Sequence, residues 1–239
     1  MVGATGGSGT RVVARILRRA GLFVGTELNE SEDAVELGAY SDRWINAYVS
    51  GGDTLPRAVE AEMVADLADV LAVHCAPIAD EPRAWGWKEP RSIYLLPFFH
   101  GQLPALRFLH VVRDGRDMAL SENQNQLRKH GNAVPLPNGL PPAARSLALW
   151  GWVNLEAKRY GESHLGDRYL RIAFEELCER PASVARSVLE FFELDGDPEA
   201  AAADVVKPAS LGRWRAADPT VLAELEAVGA VALAELGYN

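Results

Sequence analysis

The chain has 239 residues, 48% of them hydrophobic and 24% charged, the mix of a globular protein with a sizeable core. That excludes a disordered chain, a collagen-like repeat and a disulfide scaffold. Asp and Glu outnumber Lys and Arg by 33 to 24, for a net charge of −9, which disfavours a general nucleic-acid binder and long-range steering of polyanions but not a local basic pocket.

The N-terminal Met1-Val2-Gly3-Ala4 leaves room for only a short strand before a glycine-rich turn, Gly6-Gly7-Ser8-Gly9-Thr10. A helix follows over 10–20, with Val12, Val13, Ile16 and Leu17 as its apolar stripe and Gly21 as its stop. Short helices are expected around 32–49, and an amphipathic helix over 57–73 with Met63 and Leu67 inward. Trp85–Lys88 reads as a strand stopped by Pro90, and 92–99 as a helix. Leu106–Val112 is the best buried strand. Asp114 then caps a helix expected to reach about Leu127. Residues 128–146 read as a loop long enough to be a lid. Helices over 142–161 and 181–193 flank a strand at Tyr169–Phe174, and Pro219–Leu236 closes as an Ala/Leu/Glu helix. Strands separated by helices predict one α/β domain over 1–239: a P-loop-like three-layer fold with a mainly parallel central sheet and helices on both faces.

Gly6, Gly7 and Gly9 let the backbone wrap closely around a ligand, and the helix that follows turns its positive end toward it. Ser8 and Thr10 add hydroxyls. The turn therefore reads as a phosphate site. A Walker A loop would end in Gly-Lys-Ser/Thr, and no lysine follows Gly9. A dinucleotide site is the rival, since Gly3, Gly6 and Gly9 recur every three residues and Glu27 falls where a ribose-binding acid would. A second anion site is carried by Arg113 at the end of the buried strand, where a guanidinium can fork onto phosphate, with Ser121 two helical turns later.

With these motifs the sequence resembles the PAPS-dependent sulfotransferase family, in its bacterial and tyrosylprotein-sulfotransferase-like branch. PAPS is 3′-phosphoadenosine-5′-phosphosulfate. Gly6-Gly7-Ser8-Gly9-Thr10-Arg11 is similar to the family's 5′-phosphosulfate loop, and Arg113, Asp117 and Ser121 match its Arg-x-x-x-Asp-x-x-x-Ser 3′-phosphate motif. Phe174-Glu175-Glu176-Leu177 and Lys88-Glu89-Pro90 resemble two further elements, and Gly212-Arg213-Trp214-Arg215 is a weaker echo that makes Arg213 a cofactor-binding candidate. The family's basic residue before Ser-Gly-Thr is Gly7 here; Arg11 stands where it could restore the charge.

The resemblance implies metal-independent, in-line sulfuryl transfer from PAPS, leaving 3′,5′-ADP, to a hydroxyl or amine of a small-molecule or carbohydrate acceptor. It also implies Glu27 as general base, with Glu30 in reserve, and Lys88 on the leaving phosphate. His110, in a buried strand, reads as a core histidine. The rivals are a non-catalytic nucleotide- or PAPS-binding protein, another P-loop-like phosphotransferase, and a dinucleotide-binding regulator or reductase. No apolar run nears the ~20 residues of a membrane span and no leader-like segment opens the chain, so no membrane span and a cytoplasmic location are expected. Cys75 and Cys178, without metal or redox spacing, fit a reducing compartment.

Overall fold

A computed structural model describes residues 1–80 and 83–238. Strand β1 (Val2–Ala4) leads through the glycine turn into α1 (Thr10–Arg19). Next come α2 (Val35–Gly51), α3 (Arg57–Cys75), a 3-10 segment (Pro90–Leu95) and α4 (Leu96–Gln102). Strand β2 (Phe108–Val112) is followed by α5 (Gly115–Ala119), α6 (Asn125–His130) and α7 (Pro142–Tyr160). Strand β3 (Tyr169–Ala173) then precedes α8 (Phe174–Glu179), α9 (Pro181–Phe192), α10 (Pro198–Ala201) and α11 (Pro219–Leu236).

The strands form one parallel sheet in the order β1-β2-β3, with Val2 opposite Leu109 and Leu109 opposite Leu170. All five residues of β2 are buried, as a central parallel strand requires. Successive side chains leave on opposite faces. Leu109 and Val111 pack with Val13 and Leu17 of α1 and Val188 of α9. Phe108 packs into the cluster holding Leu37 of α2, Met63 of α3 and Val153 of α7, and Val112 meets Leu147 of α7 and Leu233 of α11. Each such side chain, fully buried, contributes about 1.5–3 kcal/mol. Helices thus cover both faces, as the α/β pattern predicts.

His110 occupies the same strand. Asn154 donates its Nδ2 to the Trp150 carbonyl (2.7 Å), so its Oδ1 faces His110 Nε2 (2.8 Å). Nε2 therefore carries the proton, and Nδ1 accepts from the Tyr169 hydroxyl (2.8 Å). Burial lowers its pKa to about 4. This is a satisfied core histidine.

Four local expectations are corrected. The short helices expected around 32–49 are one helix, α2. Trp85 and Lys88 make only isolated bridges, to Phe23 and Val2, so that segment is no ladder strand. The helix expected from Asp114 to Leu127 is two. Asp114 does cap α5, accepting from Arg116 N (2.9 Å), but α5 stops at Ala119. There Gln124 Nε2 donates to the carbonyls of Met118, Ala119 and Ser121, and Ser121 Oγ accepts from Asn123 N. Side chains that bond nearby backbone compete with helix continuation. The expected loop at 128–146 narrows to 131–141, because α6 takes its start and α7 its end.

Candidate active site

All three strands deliver their carboxyl ends to one cavity of about 630 Å³. Ligands of open parallel sheets bind in this crevice. Thr5 follows β1, Arg113 follows β2 and Phe174 follows β3, and all three line it.

The glycine turn is the first part of the floor. Ser8 is buried and donates to the Thr5 carbonyl (2.7 Å), which closes the loop on itself. Its hydroxyl is spent there, and Ser8 is absent from the lining. Gly9 has φ +79°, and a Cβ on it would lie 2.1 Å from the Phe174 ring, so only glycine fits. Gly7, at φ +83°, also adopts a conformation that a lysine or arginine would strain, which accounts physically for the missing basic residue. Among the described residues, no protein acceptor takes the backbone N–H groups of Gly6 through Arg11. Those donors and the start of α1 favour an anion. Arg11 is exposed at the cavity edge with Nη2 3.5 Å from Ser31 Oγ.

Arg113 is the second part. It is buried beneath the cavity, its guanidinium 5.7 Å from the Phe174 ring centroid. Nη1 reaches the Gly7 carbonyl (3.3 Å), and Nη2 donates to Asp117 Oδ2 (2.9 Å) and the Ser210 carbonyl (2.5 Å). Its Nε is buried without a partner among the described residues. Such an orphaned donor is costly unless a ligand satisfies it. Asp117 also accepts from Gly212 N (2.7 Å) and Trp214 N (3.1 Å), so it anchors the 210–216 segment against Arg113. Arg116 pairs with Asp114 (2.8 Å), not with Asp117, and lies 3.8 Å from the Trp214 ring centroid.

Not every expected site residue reaches the cavity. Ser121 is half-buried in the turn after α5 and outside the lining, because α5 ends before it. Arg213 is also outside, turned to the Ser210 and Leu120 carbonyls. Glu27 and Glu30 are exposed and off the wall. Lys88 is buried one layer behind it, where Nζ donates to the Ser31 carbonyl (2.5 Å) and pairs with Asp33. Burial lowers the Lys88 pKa, against the opposing pull of Asp33.

The carboxylates that do line the cavity are Asp33 and Glu89, neither of them singled out as a base from sequence. Asp33 accepts from Lys88 and from Asn29 Nδ2 (3.2 Å). Glu89 is buried, holding Arg91 Nε (2.8 Å) and Ser41 Oγ (3.0 Å), and burial raises its pKa. Arg91 also lines the cavity, reaching Asp42 and the Gly38 carbonyl. The pairing of α2 with the Lys88–Arg91 stretch is a tertiary fact; its only local trace was the Lys88-Glu89-Pro90 motif. Among the described residues no group of three His, Cys, Asp or Glu side chains is placed to hold a metal ion, and no helix is long and apolar enough to cross a membrane.

Residues 4–198 match the model of the sulfotransferase family. The chain belongs to that family. The sulfotransferase domain of the Synechococcus PCC 7002 olefin synthase is a structural neighbour, with TM-score 0.57 and 16% sequence identity over 100% of this chain and 94% of that one. At that identity the likeness speaks for the sulfotransferase fold alone. None of the curated proteins is a match. The matched region spans both parts of the floor, from the glycine turn to beyond Phe174.

Proposed function

We propose that this sulfotransferase transfers a sulfuryl group from PAPS to a hydroxyl or amine of an acceptor. One observation carries the reading. Six backbone N–H groups without acceptors and a buried arginine Nε without a partner, both among the described residues, meet in one cavity at the strand ends. A donor with anionic groups at both its 5′ and 3′ positions would satisfy both.

In this assignment Gly6, Gly7, Gly9 and Thr10 hold the 5′ end through backbone N–H groups, with Ser8 shaping the loop and Arg11 supplying charge at its edge. Arg113 holds the 3′-phosphate. PAPS supplies the sulfuryl group, whose sulfur bonds to the acceptor oxygen or nitrogen as its bond to the bridging phosphate oxygen breaks, leaving 3′,5′-ADP. The acceptor's proton needs a base on the cavity wall, and Asp33 replaces Glu27 in that role. Its carboxylate is partly exposed, whereas Glu89 is almost wholly buried. Lys88 is then a positioning residue: it fixes Asp33 and the Ser31 carbonyl from behind. General-base help of this kind is worth about 10²–10⁴-fold.

A thermal-shift panel tests the donor. At 100 times its Kd a ligand stabilises the folded chain by about 2.7 kcal/mol. 3′,5′-ADP should raise Tm by several degrees, with ATP and NADP well below it. A shift with ATP or NADP but not with 3′,5′-ADP would transfer the site to a phosphotransferase or a dinucleotide binder.

A further inference from the structure

Beside the glycine turn the cavity has a polar wall, made by the Asn29–Asp33 loop, the Glu89–Arg91 stretch and α6. Its ionised groups are largely spent on one another. Asp33 pairs with Lys88, Glu89 with Arg91, and Arg91 and Lys129 both pair with Asp42. Gln126 is different. It is half-buried on α6 and lines the cavity against Gly6: a Cβ on that glycine would lie 3.7 Å from Gln126 Nε2.

Its carboxamide is oriented from behind. Tyr94 is buried, and burial raises its pKa, so its hydroxyl keeps its proton. Among the described residues the one acceptor for that proton is Gln126 Oε1, at 3.3 Å. The contact is long for a hydroxyl, yet a buried hydroxyl that loses its acceptor is penalised, so the amide oxygen stays toward Tyr94. Nε2 then points away from Tyr94 and meets no protein acceptor among the described residues. The helix that carries Gln126 is held at both ends. Before it, Gln124 Nε2 donates to the carbonyls of Met118, Ala119 and Ser121 at the end of α5. At its far end Asn46 of α2 donates Nδ2 to the Lys129 carbonyl (3.0 Å) and turns Oδ1 to His130 Nδ1 (2.8 Å). The His130 ring packs on Tyr94, 5.2 Å between centroids.

We infer that Gln126 Nε2 is a direct hydrogen-bond donor to the sulfuryl group of PAPS, set in place by Tyr94, and does part of the work of the basic residue absent at Gly7. The inference rests on the sulfotransferase reading above and adds a donor-binding residue to it. A fixed neutral donor beside a turn of free N–H groups suits an anion that spreads its charge over several oxygens, because it needs no reorganisation when the ligand arrives. Its place against Gly6 assigns it to the 5′ end, where PAPS and 3′,5′-ADP differ. Arg11, exposed at the cavity edge, leaves that role open. Tyr94, one layer behind the lining, is a positioning residue.

Calorimetric titration of PAPS and of 3′,5′-ADP into the full chain, without acceptor, tests this, since the sulfuryl group is what separates the two ligands. Gln126→Leu should weaken PAPS by about 10–100-fold, the worth of a hydrogen bond to a charged group, and 3′,5′-ADP by less than about threefold. Gln126→Glu keeps the shape and the oxygen facing Tyr94 but puts a negative charge where the donor was, and should weaken PAPS at least as much. Tyr94→Phe should weaken PAPS by about 2–10-fold alone and have almost no further effect in the Gln126→Leu background, where no carboxamide is left to hold. Equal losses for the two ligands in both Gln126 variants would overturn the inference. So would unchanged PAPS affinity in both, or a Tyr94→Phe loss that persists in full without Gln126. A wild-type chain that binds neither PAPS nor 3′,5′-ADP strikes the underlying reading instead.

Discussion

The cavity floor and its polar wall are built in opposite ways. The floor takes one residue from the end of each of three adjacent parallel strands, so the ladder itself fixes Thr5, Arg113 and Phe174 relative to one another. The wall is assembled from three segments far apart in sequence, the loop at 29–33, the start of the 3-10 segment and α6, and is locked by ion pairs, with Lys88 behind Asp33 and Asp42 joining Arg91 to Lys129. The floor presents unsatisfied donors; the wall satisfies most of its own charges. Anion recognition can therefore sit in short motifs, whereas acceptor chemistry depends on how distant loops pair.

The sharpest way to break that comparison is to remove the wall's carboxylate. Asp33→Asn keeps size and one of the two accepted hydrogen bonds, from Lys88 or from Asn29, while abolishing the base, and should lower kcat by about 10²–10⁴-fold. Glu27→Gln, at an exposed position, should leave kcat near wild type. Steady-state rates on both variants decide it; the reverse pattern would return the base to Glu27 and detach the wall from the chemistry.

A smaller effect concerns acid. Floor and wall each have a buried histidine behind them: His110 in β2 and His130 in α6, both with pKa lowered from 6.5 to about 4 by burial. His130 Nδ1 meets Asn46 Oδ1 (2.8 Å), and its Nε2 has no partner among the described residues. Below pH 6.5 the unfolded chain binds protons that the folded chain refuses until about pH 4, so stability falls as pH falls and the effect is absent above about pH 7. The loss should be about 1–2 kcal/mol per ring at pH 5. His130→Leu should flatten part of the fall in Tm between pH 7 and 5. A wild-type Tm independent of pH across that window would show that both rings are solvated.

Most of the floor was legible in the sequence because each part is local. The glycine turn, the Val-rich strand ending in Arg113 and the strand ending in Phe174 are contiguous runs whose periodicity and end residues carry their meaning. The helices at 57–75, 142–160 and 219–236 followed from their patterns too. Ser121 lies outside the cavity lining for a local reason that periodicity does not register: Gln124 and Ser121 bond the backbone and end α5 early. The wall was barely legible. Nothing near Glu27 marks it as exposed, and nothing near Asp33 shows that Lys88, 55 residues on, will be buried against it. Lys88-Glu89-Pro90 stands out as a motif, but the motif does not say that Lys88 lies behind the cavity and Glu89 lines it.

The proposed donor site depends most directly on Arg113 reading a 3′-phosphate. Calorimetric titration of 3′,5′-ADP and 5′-AMP into wild type, Arg113→Ala and Ser121→Ala measures this. Wild type should prefer 3′,5′-ADP, and Arg113→Ala should lose about 1.5–3 kcal/mol of binding for 3′,5′-ADP, with little change for 5′-AMP. Ser121→Ala, outside the lining, should change either by less than about threefold, within what a single exposed hydrogen bond contributes. Equal losses for the two nucleotides in Arg113→Ala, or equal wild-type affinities, would contradict the assignment of the floor to PAPS.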